Sequence, residues 1–370
     1  MRESMGEPIA QLVRDARRAY VPGLPKVLFW AIINHCNAVC TTCSFYLVPR
    51  SQFTYTDLES ARRAIDVLHD SGFRFTSITG GEPLMNPDVF DICDAISRRG
   101  IAITYIPTNG LLVDDRAARR LRDADVKVVG VSVEMIGADG MGATRKIPKF
   151  RDVLVRAREA LDRAGVPNYA GVLLSKATLD IPAVFEFVRD LGFDKVVFSY
   201  PQLEQGSSYI ASRSIPEIRL TASEVERMVE GIKAAKRDIP EIGVYNTEAS
   251  LDDLVRFYRG EPRRYGCWGG KRLFYLDWRL DLYQCFTLPK RYGNLLEMGR
   301  VDVEEPGLCD LCTQQAFRDF GPFYAGASAL DRSVNLLRAG HPIEAMRAVA
   351  SDETLGGLRS LLEVYGAGFV

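Results

Sequence analysis

The stretch that decides the fold is Cys36-Asn37-Ala38-Val39-Cys40-Thr41-Thr42-Cys43, which closely follows an apolar run at residues 27–33. A short apolar run of this kind is typical of a buried strand. Three thiolates would leave one iron of a 4Fe–4S cube without a protein ligand, whereas four would complete the cube. An open metal position is a feature of catalytic metal sites. The spacing therefore indicates a catalyst and not merely an electron carrier.

A structural zinc site is the main alternative for these three cysteines. Zinc would need a fourth Cys or His nearby, because structural zinc is held by four ligands. His35 is adjacent, but a residue next to Cys36 in the sequence is awkwardly placed to share its ion. The motifs that follow along the chain favour the iron–sulfur cluster.

The composition is that of an ordinary globular protein. The chain has 370 residues, of which 47% are hydrophobic and 26% charged, and its net charge is −1. This balance gives no reason to expect a nucleic-acid partner. No apolar run approaches the ~18 residues that span a membrane, and the N-terminus has no apolar signal-peptide segment. We therefore expect a cytoplasmic protein without a membrane partner.

Seven of the eight cysteines fall in spacings that suit a metal site. The second set begins with Cys267 and Cys285 and ends with Cys309-Asp310-Leu311-Cys312. In a chain without secretory signals, such clusters favour metal ligation over disulfides. Four thiolates complete a cube with no open position, and a zinc ribbon is the alternative. Cys93 stands alone in a helical pattern and is expected to be a small buried hydrophobe.

Short β-branched runs alternate with helical patterns from residue 27 to about residue 237. This alternation indicates βαβ units and a parallel sheet. Thr56, with Glu59 three residues later, predicts a capping box at the start of the first helix. The predicted strands are 27–33, 76–79, 101–107, 127–133, 169–174 and 195–199, with a later pair at 272–277 and 279–285. The predicted helices are 55–71, 87–98, 115–124, 150–164, 181–191, 221–237 and 251–259.

Polar motifs follow several of the predicted strands. Gly80-Gly81-Glu82-Pro83 comes directly after the second strand. Glycines let the main chain approach a ligand closely, and a carboxylate accepts a charge-assisted hydrogen bond from an ammonium group. Arg145 carries a guanidinium group that fits a carboxylate. The other candidates are Thr108-Asn109-Gly110 after the third strand, Ser132 and Glu134 at the end of the fourth, and Ser175 after the fifth.

These motifs, in this order, resemble those of the radical S-adenosylmethionine (SAM) enzymes. The resemblance covers residues 27–200, and residues 260–315 through the second cysteine set. It implies an α/β fold, a partial (β/α)6 barrel of the TIM type, with the chemistry at the carboxyl ends of the strands. The second set resembles a C-terminal twitch domain, an abbreviated SPASM domain with one auxiliary 4Fe–4S cluster, as in butirosin-type aminocyclitol dehydrogenases.

The resemblance implies a role for each motif. The first three cysteines would hold a cluster whose open iron binds the amino and carboxylate groups of SAM. The loop after the second strand would bind the amino group, and Arg145 would pair with the carboxylate. The implied metal ligands are Cys36, Cys40 and Cys43 for that cluster, and Cys267, Cys285, Cys309 and Cys312 for the auxiliary one. The implied SAM contacts are Gly80, Gly81, Glu82, Pro83, Asn109, Ser132, Glu134, Arg145 and Ser175.

Two positions depart from the family pattern. Thr42 stands before the third cysteine, where an apolar or aromatic residue is usual. The family holds adenine there mostly through backbone atoms, so this change weakens the resemblance little. Glu134 stands where relatives usually have Asp, which leaves its own role open.

The implied organisation has four parts. Residues 1–26 form an N-terminal extension, and residues 27–237 form the barrel. A linker and the auxiliary-cluster domain follow at residues 238–317, and a helical extension at residues 318–370.

The implied activity is reductive cleavage of SAM to methionine and a 5′-deoxyadenosyl radical, which abstracts hydrogen from a substrate. The electron would come from a flavodoxin- or ferredoxin-type donor. The second cluster would accept an electron in a net oxidation, or serve a redox-neutral epimerisation or rearrangement. A polar, hydroxyl-rich lining would suit a sugar, aminocyclitol or nucleoside, in natural-product biosynthesis. The candidate catalytic residues are Tyr200, Glu204 and Asp277, and further substrate contacts are Gln202, residues 207–209 and Trp278.

Three other functions stay open at this point. A peptide maturase would usually carry a leader-binding domain and two auxiliary clusters, which this chain is not expected to have. A lipid-modifying enzyme would explain the basic amphipathic pattern at residues 9–18. The non-enzyme alternative is a cysteine-rich zinc or electron-transfer protein.

Overall fold

The computed structural model describes residues 24–202, 216–303 and 309–368. Its framework is a ten-stranded sheet in the order β10-β9-β8-β1-β2-β3-β4-β5-β6-β7. Within the described residues, we find no helix with the length and apolar character needed to cross a membrane. The predicted basic helix at residues 9–18 lies outside the described residues.

The first seven strands are parallel and follow one another in chain order across the sheet. The helices between them supply the crossovers that parallel strands require. The α/β fold with an open, partial barrel is therefore confirmed. The strands are β1 Lys26–Ala31, β2 Phe73–Thr79, β3 Ala102–Thr108, β4 Val129–Val133, β5 Asn168–Leu173, β6 Lys195–Ser199 and β7 Gly243–Val244. The helices are α1 Leu58–Asp70, α2 Val89–Arg98, α3 Asp115–Asp123, α4 Phe150–Ala164, α5 Ile181–Asp190, α6 Ala222–Asp238 and α7 Glu248–Tyr258.

The caps at the helix starts follow local side-chain chemistry. The predicted capping box at Thr56 is wrong, because the Asp57 side chain caps α1 and accepts from the Ser60 amide at 2.9 Å. An Asp carboxylate is a strong N-cap and shifts the helix start by one residue. Thr56 instead donates its hydroxyl to the Trp278 carbonyl at 3.1 Å. A capping box does form at α6, between Thr221 and Glu224.

A hairpin from the second half of the chain extends the same sheet. β8 Leu273–Leu276 pairs in parallel with β1, and β9 Asp281–Tyr283 runs antiparallel to β8. The predicted strand pair is confirmed, with shorter strands than expected. β10 Arg291–Asn294 completes this edge, and the short helix α8 Leu295–Met298 follows. Two cysteines of the second set, Cys267 and Cys285, therefore flank a hairpin that belongs to the barrel sheet.

A long C-terminal helix packs its aromatic residues against β1 and β8. We call the rings of Phe29, Tyr275, Phe286, Phe317 and Phe320 the aromatic core. The Phe29 ring lies 5.4 Å from both Phe286 and Phe317, and Tyr275 lies 4.7 Å from Phe286. These centroid separations fall in the range that aromatic pairs favour. The helix is α9 Gln315–Arg338, and α10 Pro342–Val349 and α11 Asp352–Gly366 follow it.

Truncation of Phe29 tests this packing. Phe29 is fully buried and contacts three rings from two other segments, so Phe29→Ala should lower the free energy of unfolding by about 3–5 kcal/mol. Leu362→Ala, at an exposed position of α11, is the control and should change it by less than about 0.5 kcal/mol. Urea unfolding of the metal-free protein measures both. An equal small effect of the two variants would contradict the packing.

Candidate metal and cofactor site

The three cysteines of the first set lie in the loop after β1 and are largely buried. Burial raises the pKa of Cys36 and of Cys40 to about 11, and it also raises the pKa of Cys43. The charges of neighbouring thiols raise the pKa of each cysteine further. The Ala38 amide donates to the Cys36 sulfur at 3.4 Å. These thiols would have to lose their protons in order to bind a metal.

The donor chemistry suits a cluster of several irons. In the part of the chain that the structure describes, no three Cys, His, Asp or Glu side chains already form the ligand shell of a single ion. In a cube each thiolate binds a different iron, so three sulfur atoms need not converge on one point. Three thiols in one loop therefore fit the group that the sequence predicts.

The Gly80-Gly81 turn lies against the backbone that leads into Cys36. The Gly81 amide donates to the Ile33 carbonyl and the Glu82 amide to the His35 carbonyl, each at 3.1 Å. A Cβ atom would lie 1.9 Å from the His35 oxygen at Gly81, and 2.4 Å from the Ile33 oxygen at Gly80. Gly80 also has φ +132°, which disfavours any side chain. The sequence predicts that these glycines let a ligand approach the main chain closely. In the structure, the atoms that approach them are the carbonyl oxygens of Ile33 and His35.

The Glu82 carboxylate is buried and binds the loop after β3. It accepts hydrogen bonds from the Thr108 hydroxyl at 2.9 Å and from the Asn109 amide at 2.8 Å. Burial raises the pKa of Glu82, and these hydrogen bonds oppose that rise. The Asn109 side chain in turn donates to Asn37 at 2.7 Å. The loops after β1, β2 and β3 thus form one hydrogen-bonded unit.

The segment around Arg145 closes the other side of the cysteine loop. Cys40 and Arg145 form an antiparallel bridge, and the Lys146 amide donates to the Val39 carbonyl at 2.8 Å. The Arg145 Nε atom lies 3.5 Å from the Glu134 carboxylate and has no hydrogen-bond partner in the described chain. Although burial opposes its charge, the neighbouring thiols and Glu134 raise the pKa of Arg145. A buried guanidinium group therefore lies beside the first cysteine set.

The predicted contacts on β4 and β5 line a small cleft. Glu134 accepts from the Thr144 amide at 3.0 Å and from its hydroxyl at 2.8 Å. Ser175 caps a single 3₁₀ turn, Lys176–Thr178, and accepts from the Ala177 amide at 3.3 Å. Ser132 lies on β4 in register with Gly171 of β5. The cleft is lined by Glu134, Met135, Ala143, Thr144, Leu173, Ser175, Ala177 and Thr178.

The second cysteine set also brings its thiols together. Burial raises the pKa of Cys285 to about 12, and the charges of Cys312 and Cys267 raise it further. Burial likewise raises the pKa of Cys267, with Cys312 and Cys309 adding to the rise. The Gly269 amide donates to the Cys267 sulfur at 3.4 Å, and the Leu288 amide to the Cys285 sulfur at 3.3 Å. Amide donors to sulfur are among the factors that set the potential of iron–sulfur clusters.

Comparison with known proteins agrees with this geometry. The sequence model of the radical SAM superfamily matches residues 30–200. Over this segment, a little less than half of the chain, the sequence is similar to that superfamily. Because the match covers that segment alone, it describes the barrel and the first cysteine set.

Three curated relatives share this part of the chain. An AdoMet-dependent heme synthase of Methanosarcina barkeri is 29% identical over 172 residues, 45% of this chain and 48% of the relative. A probable GTP 3′,8-cyclase of Methanocaldococcus jannaschii is 28% identical, over 53% of this chain and 66% of the relative. The mycofactocin maturase MftC of Mycobacterium tuberculosis is 28% identical, over 46% of this chain and 42% of the relative. The chain thus spans less than two thirds of the length of each.

Two solved structures share the fold. One is anSMEcpe with bound AdoMet, at TM-score 0.57 and 18% identity, which covers 74% of this chain and 76% of that one. The other is SuiB of Streptococcus suis bound to S-adenosylmethionine, at TM-score 0.58 and 14% identity. That match covers 80% of this chain and 70% of SuiB. At these identities the likeness concerns the fold alone.

The candidate catalytic residues are placed less favourably for that role. The Tyr200 hydroxyl is buried and donates to Asp319 at 2.9 Å, while Asn246 donates to that hydroxyl at 3.2 Å. Asp277 accepts from the Arg279 and Asp281 amides at 2.8 and 3.0 Å, within the β8–β9 turn. The catalytic roles of both stay predictions. Glu204 and residues 207–209 lie outside the described residues.

Sequence reasoning missed Asp319 and Asn246 as partners of Tyr200. Asp319 is on α9, 119 positions from Tyr200 in the chain, and no local motif marks it. Trp278, another predicted substrate contact, is 5% exposed and meets the Phe45 ring edge-on at 6.2 Å. Long-range pairs of this kind have no signal in a single sequence.

Substitution of Gly81 should disturb the first cysteine set. Gly81→Ala places a methyl group on the His35 carbonyl, so the backbone before Cys36 must shift. We expect the iron content after anaerobic reconstitution to fall from about eight to about four per chain. Gly366→Ala is the control, since a Cβ there meets nothing within 4 Å. Full iron content in Gly81→Ala would show that this close approach is not needed.

The buried carboxyl of Asp319 predicts a pH dependence of stability. Burial raises the pKa of Asp319 to about 6, whereas an unfolded Asp titrates near 3.9. The folded state therefore binds more protons between these values, and this group's contribution to stability is lost as the pH rises from about 4 to about 7. Asn does not titrate.

The measurement compares wild type with Asp319→Asn by urea unfolding at pH 4 and pH 7. The free energy of unfolding of wild type minus that of the variant should decrease by roughly 2 kcal/mol across this range. A constant difference would contradict the raised pKa.

Proposed function

We propose that the chain is a radical SAM enzyme that binds SAM at the first cysteine set and generates a 5′-deoxyadenosyl radical. The single observation that carries this proposal is the three-thiol loop, held between the Gly80-Gly81 turn and the Arg145 segment. When bound there, a reduced 4Fe–4S cluster supplies the electron that cleaves SAM to methionine and the radical, which takes a hydrogen atom from a substrate C–H bond.

The chain's own residues would bind and orient the cofactor. Cys36, Cys40 and Cys43 would hold the cluster and leave one iron for the amino and carboxylate groups of SAM. Arg145 is buried and its Nε atom has no hydrogen-bond partner in the described chain, so it is available to a carboxylate. Glu82 already binds Thr108 and Asn109, and we propose that it positions the loops and adds negative charge for the amino group.

The neighbouring strand ends would complete the SAM pocket. Glu134 and Ser175 line the cleft after β4 and β5, and Ser132 lies on the strand that leads to it. We assign this cleft to the nucleoside part of SAM, because it offers carboxylate, hydroxyl and backbone groups beside a buried interior. Pro83 opens the turn that follows the two glycines and fixes the direction of the chain there.

The second cysteine set is proposed to hold an auxiliary 4Fe–4S cluster. The thiols whose charges act on Cys267 and Cys285, and the two amide donors to sulfur, support this assignment. Both cysteine sets also pack against the buried residues that include the aromatic core, with Cys36 and Cys43 from one set and Cys267 and Cys285 from the other. A cluster so placed would accept an electron from a substrate radical and give a net oxidation. A flavodoxin- or ferredoxin-type donor, in the cytoplasm, would supply the first electron.

The proposed substrate is a small polar metabolite of natural-product biosynthesis, such as a sugar, aminocyclitol or nucleoside. This substrate proposal rests on the hydroxyl-rich sequence after β6. Tyr200 and Asp277 support it less, because both side chains already have hydrogen-bond partners within the chain. A peptide is the second candidate, favoured by the likeness to a mycofactocin maturase over 171 residues. SuiB, which shares the fold, has been solved with its precursor peptide SuiA. The likeness to SuiB itself concerns the fold alone.

Cysteine variants test the chemistry of the first set. Cys40→Ala should abolish formation of 5′-deoxyadenosine from SAM with dithionite, because the cluster loses a ligand. Cys93→Ala is the matched control, since Cys93 is buried and alone, and it should keep wild-type turnover. Turnover of SAM by Cys40→Ala at the wild-type rate would contradict the proposal.

Isotope transfer distinguishes the substrate classes. Reconstituted enzyme is incubated with SAM and deuterated small metabolites in one arm, and deuterated peptides in the other. Deuterium in 5′-deoxyadenosine identifies the class that donates the hydrogen atom. Transfer from the peptides alone would overturn the small-metabolite proposal and leave the radical chemistry intact.

A further inference from the structure

Three charged side chains are buried beside the second cysteine set. The side chains of Arg318, Asp253 and Arg263 are 0%, 1% and 5% exposed. Nη1 of Arg318 pairs with Oδ2 of Asp253, and Nε of Arg263 lies 3.6 Å from the same oxygen. We call these residues the arginine triad. Within the arginine triad, two guanidinium groups meet one carboxylate. The buried carboxyl of Asp319 is a further acidic group; burial raises its pKa, and the charge of Arg318 opposes that rise.

The arginine triad holds the backbone of two predicted cluster ligands. Nε of Arg318 donates to the Cys312 carbonyl at 2.9 Å, and Nη1 of Arg263 donates to the Cys309 carbonyl at 3.4 Å. Within the ranges that the structure describes, Nη2 of Arg318 is buried without a hydrogen-bond partner. The two guanidinium groups therefore lie next to the backbone of the cysteines and not at a distant surface.

We infer that the arginine triad is a built-in counter-charge for an anionic iron–sulfur cluster on Cys267, Cys285, Cys309 and Cys312, and that it raises the reduction potential of that cluster. This inference rests on the auxiliary cluster of the proposed function. A cube with four thiolates carries a net negative charge, which increases when the cluster takes up an electron. A buried cation nearby stabilises the reduced form more than the oxidised form, because its attraction grows with the negative charge and is weakly screened. The arginine triad thus makes the cluster a better electron acceptor.

The test isolates the second cluster. In the full-length chain, Cys36, Cys40 and Cys43 are replaced by Ala, so that electron paramagnetic resonance reports the auxiliary cluster alone during a redox titration. Arg318→Met is then added, which leaves Asp253 paired with Arg263 in a neutral pair. We expect the ratio of reduced to oxidised cluster at a fixed potential to fall at least tenfold, a shift of about 59 mV for one electron.

Two matched variants separate charge from structure. Arg318→Lys keeps the charge but loses the guanidinium fork, and it should stay near the parent potential. Arg259→Met removes an exposed arginine that pairs with Glu226 at 2.7 Å, and it should not shift the potential. If Arg318→Met does not accumulate as folded protein, Arg263→Met makes the same neutral pair from the other side and should lower the potential in the same direction.

The outcomes are distinguishable. A parent that binds about four irons per chain, with the potential unchanged in Arg318→Met or Arg263→Met, overturns the counter-charge and leaves the auxiliary cluster standing. Equal shifts in Arg318→Lys and Arg318→Met also overturn it, because geometry and not charge would then be responsible. A parent that binds no iron at the second set overturns the auxiliary cluster and the counter-charge together.

Discussion

The site depends on the close approach of two stretches of backbone. Gly80 and Gly81 lie so near the Ile33 and His35 carbonyls that no side chain fits between them. This contact joins the turn after β2 to the chain that leads into the first cysteine. Because Glu82 then binds the loop after β3, three strand ends are fixed relative to one another by a few buried hydrogen bonds. Such preorganisation suits a site that must hold a reactive group in one orientation.

The two cysteine sets belong to one structural unit. The hairpin that follows Cys267 adds β8 directly beside β1, and α9 fills the space next to them with aromatic rings. The aromatic core therefore lies among the cysteines of both sets. A packed, apolar interior lowers the local dielectric and strengthens every charge in it. That setting explains why thiols, Glu82 and Arg145 all have perturbed pKa values.

Local patterns predicted the barrel well and the long-range partners poorly. The alternation of apolar runs and helical patterns predicted six parallel strands, and β6 Lys195–Ser199 has the predicted bounds. The helix start at Thr56 failed because Asp57, one residue later, is the better cap. The pairing of Tyr200 with Asp319, and of Arg318 with Asp253, joins residues far apart in the chain. Only the folded sheet and α9 bring them together, so the sequence alone could not separate candidate catalytic residues from structural ones.

The central claim is that the first cysteine set presents an iron with an open position to SAM. Electron paramagnetic resonance of the reduced, reconstituted protein with and without SAM tests it most directly. With the second set removed by substitution of its four cysteines, the remaining cluster signal should change when SAM is added, because SAM becomes a ligand of the open iron. A signal that is identical with and without SAM, or a site that takes up zinc in place of iron, would contradict the account.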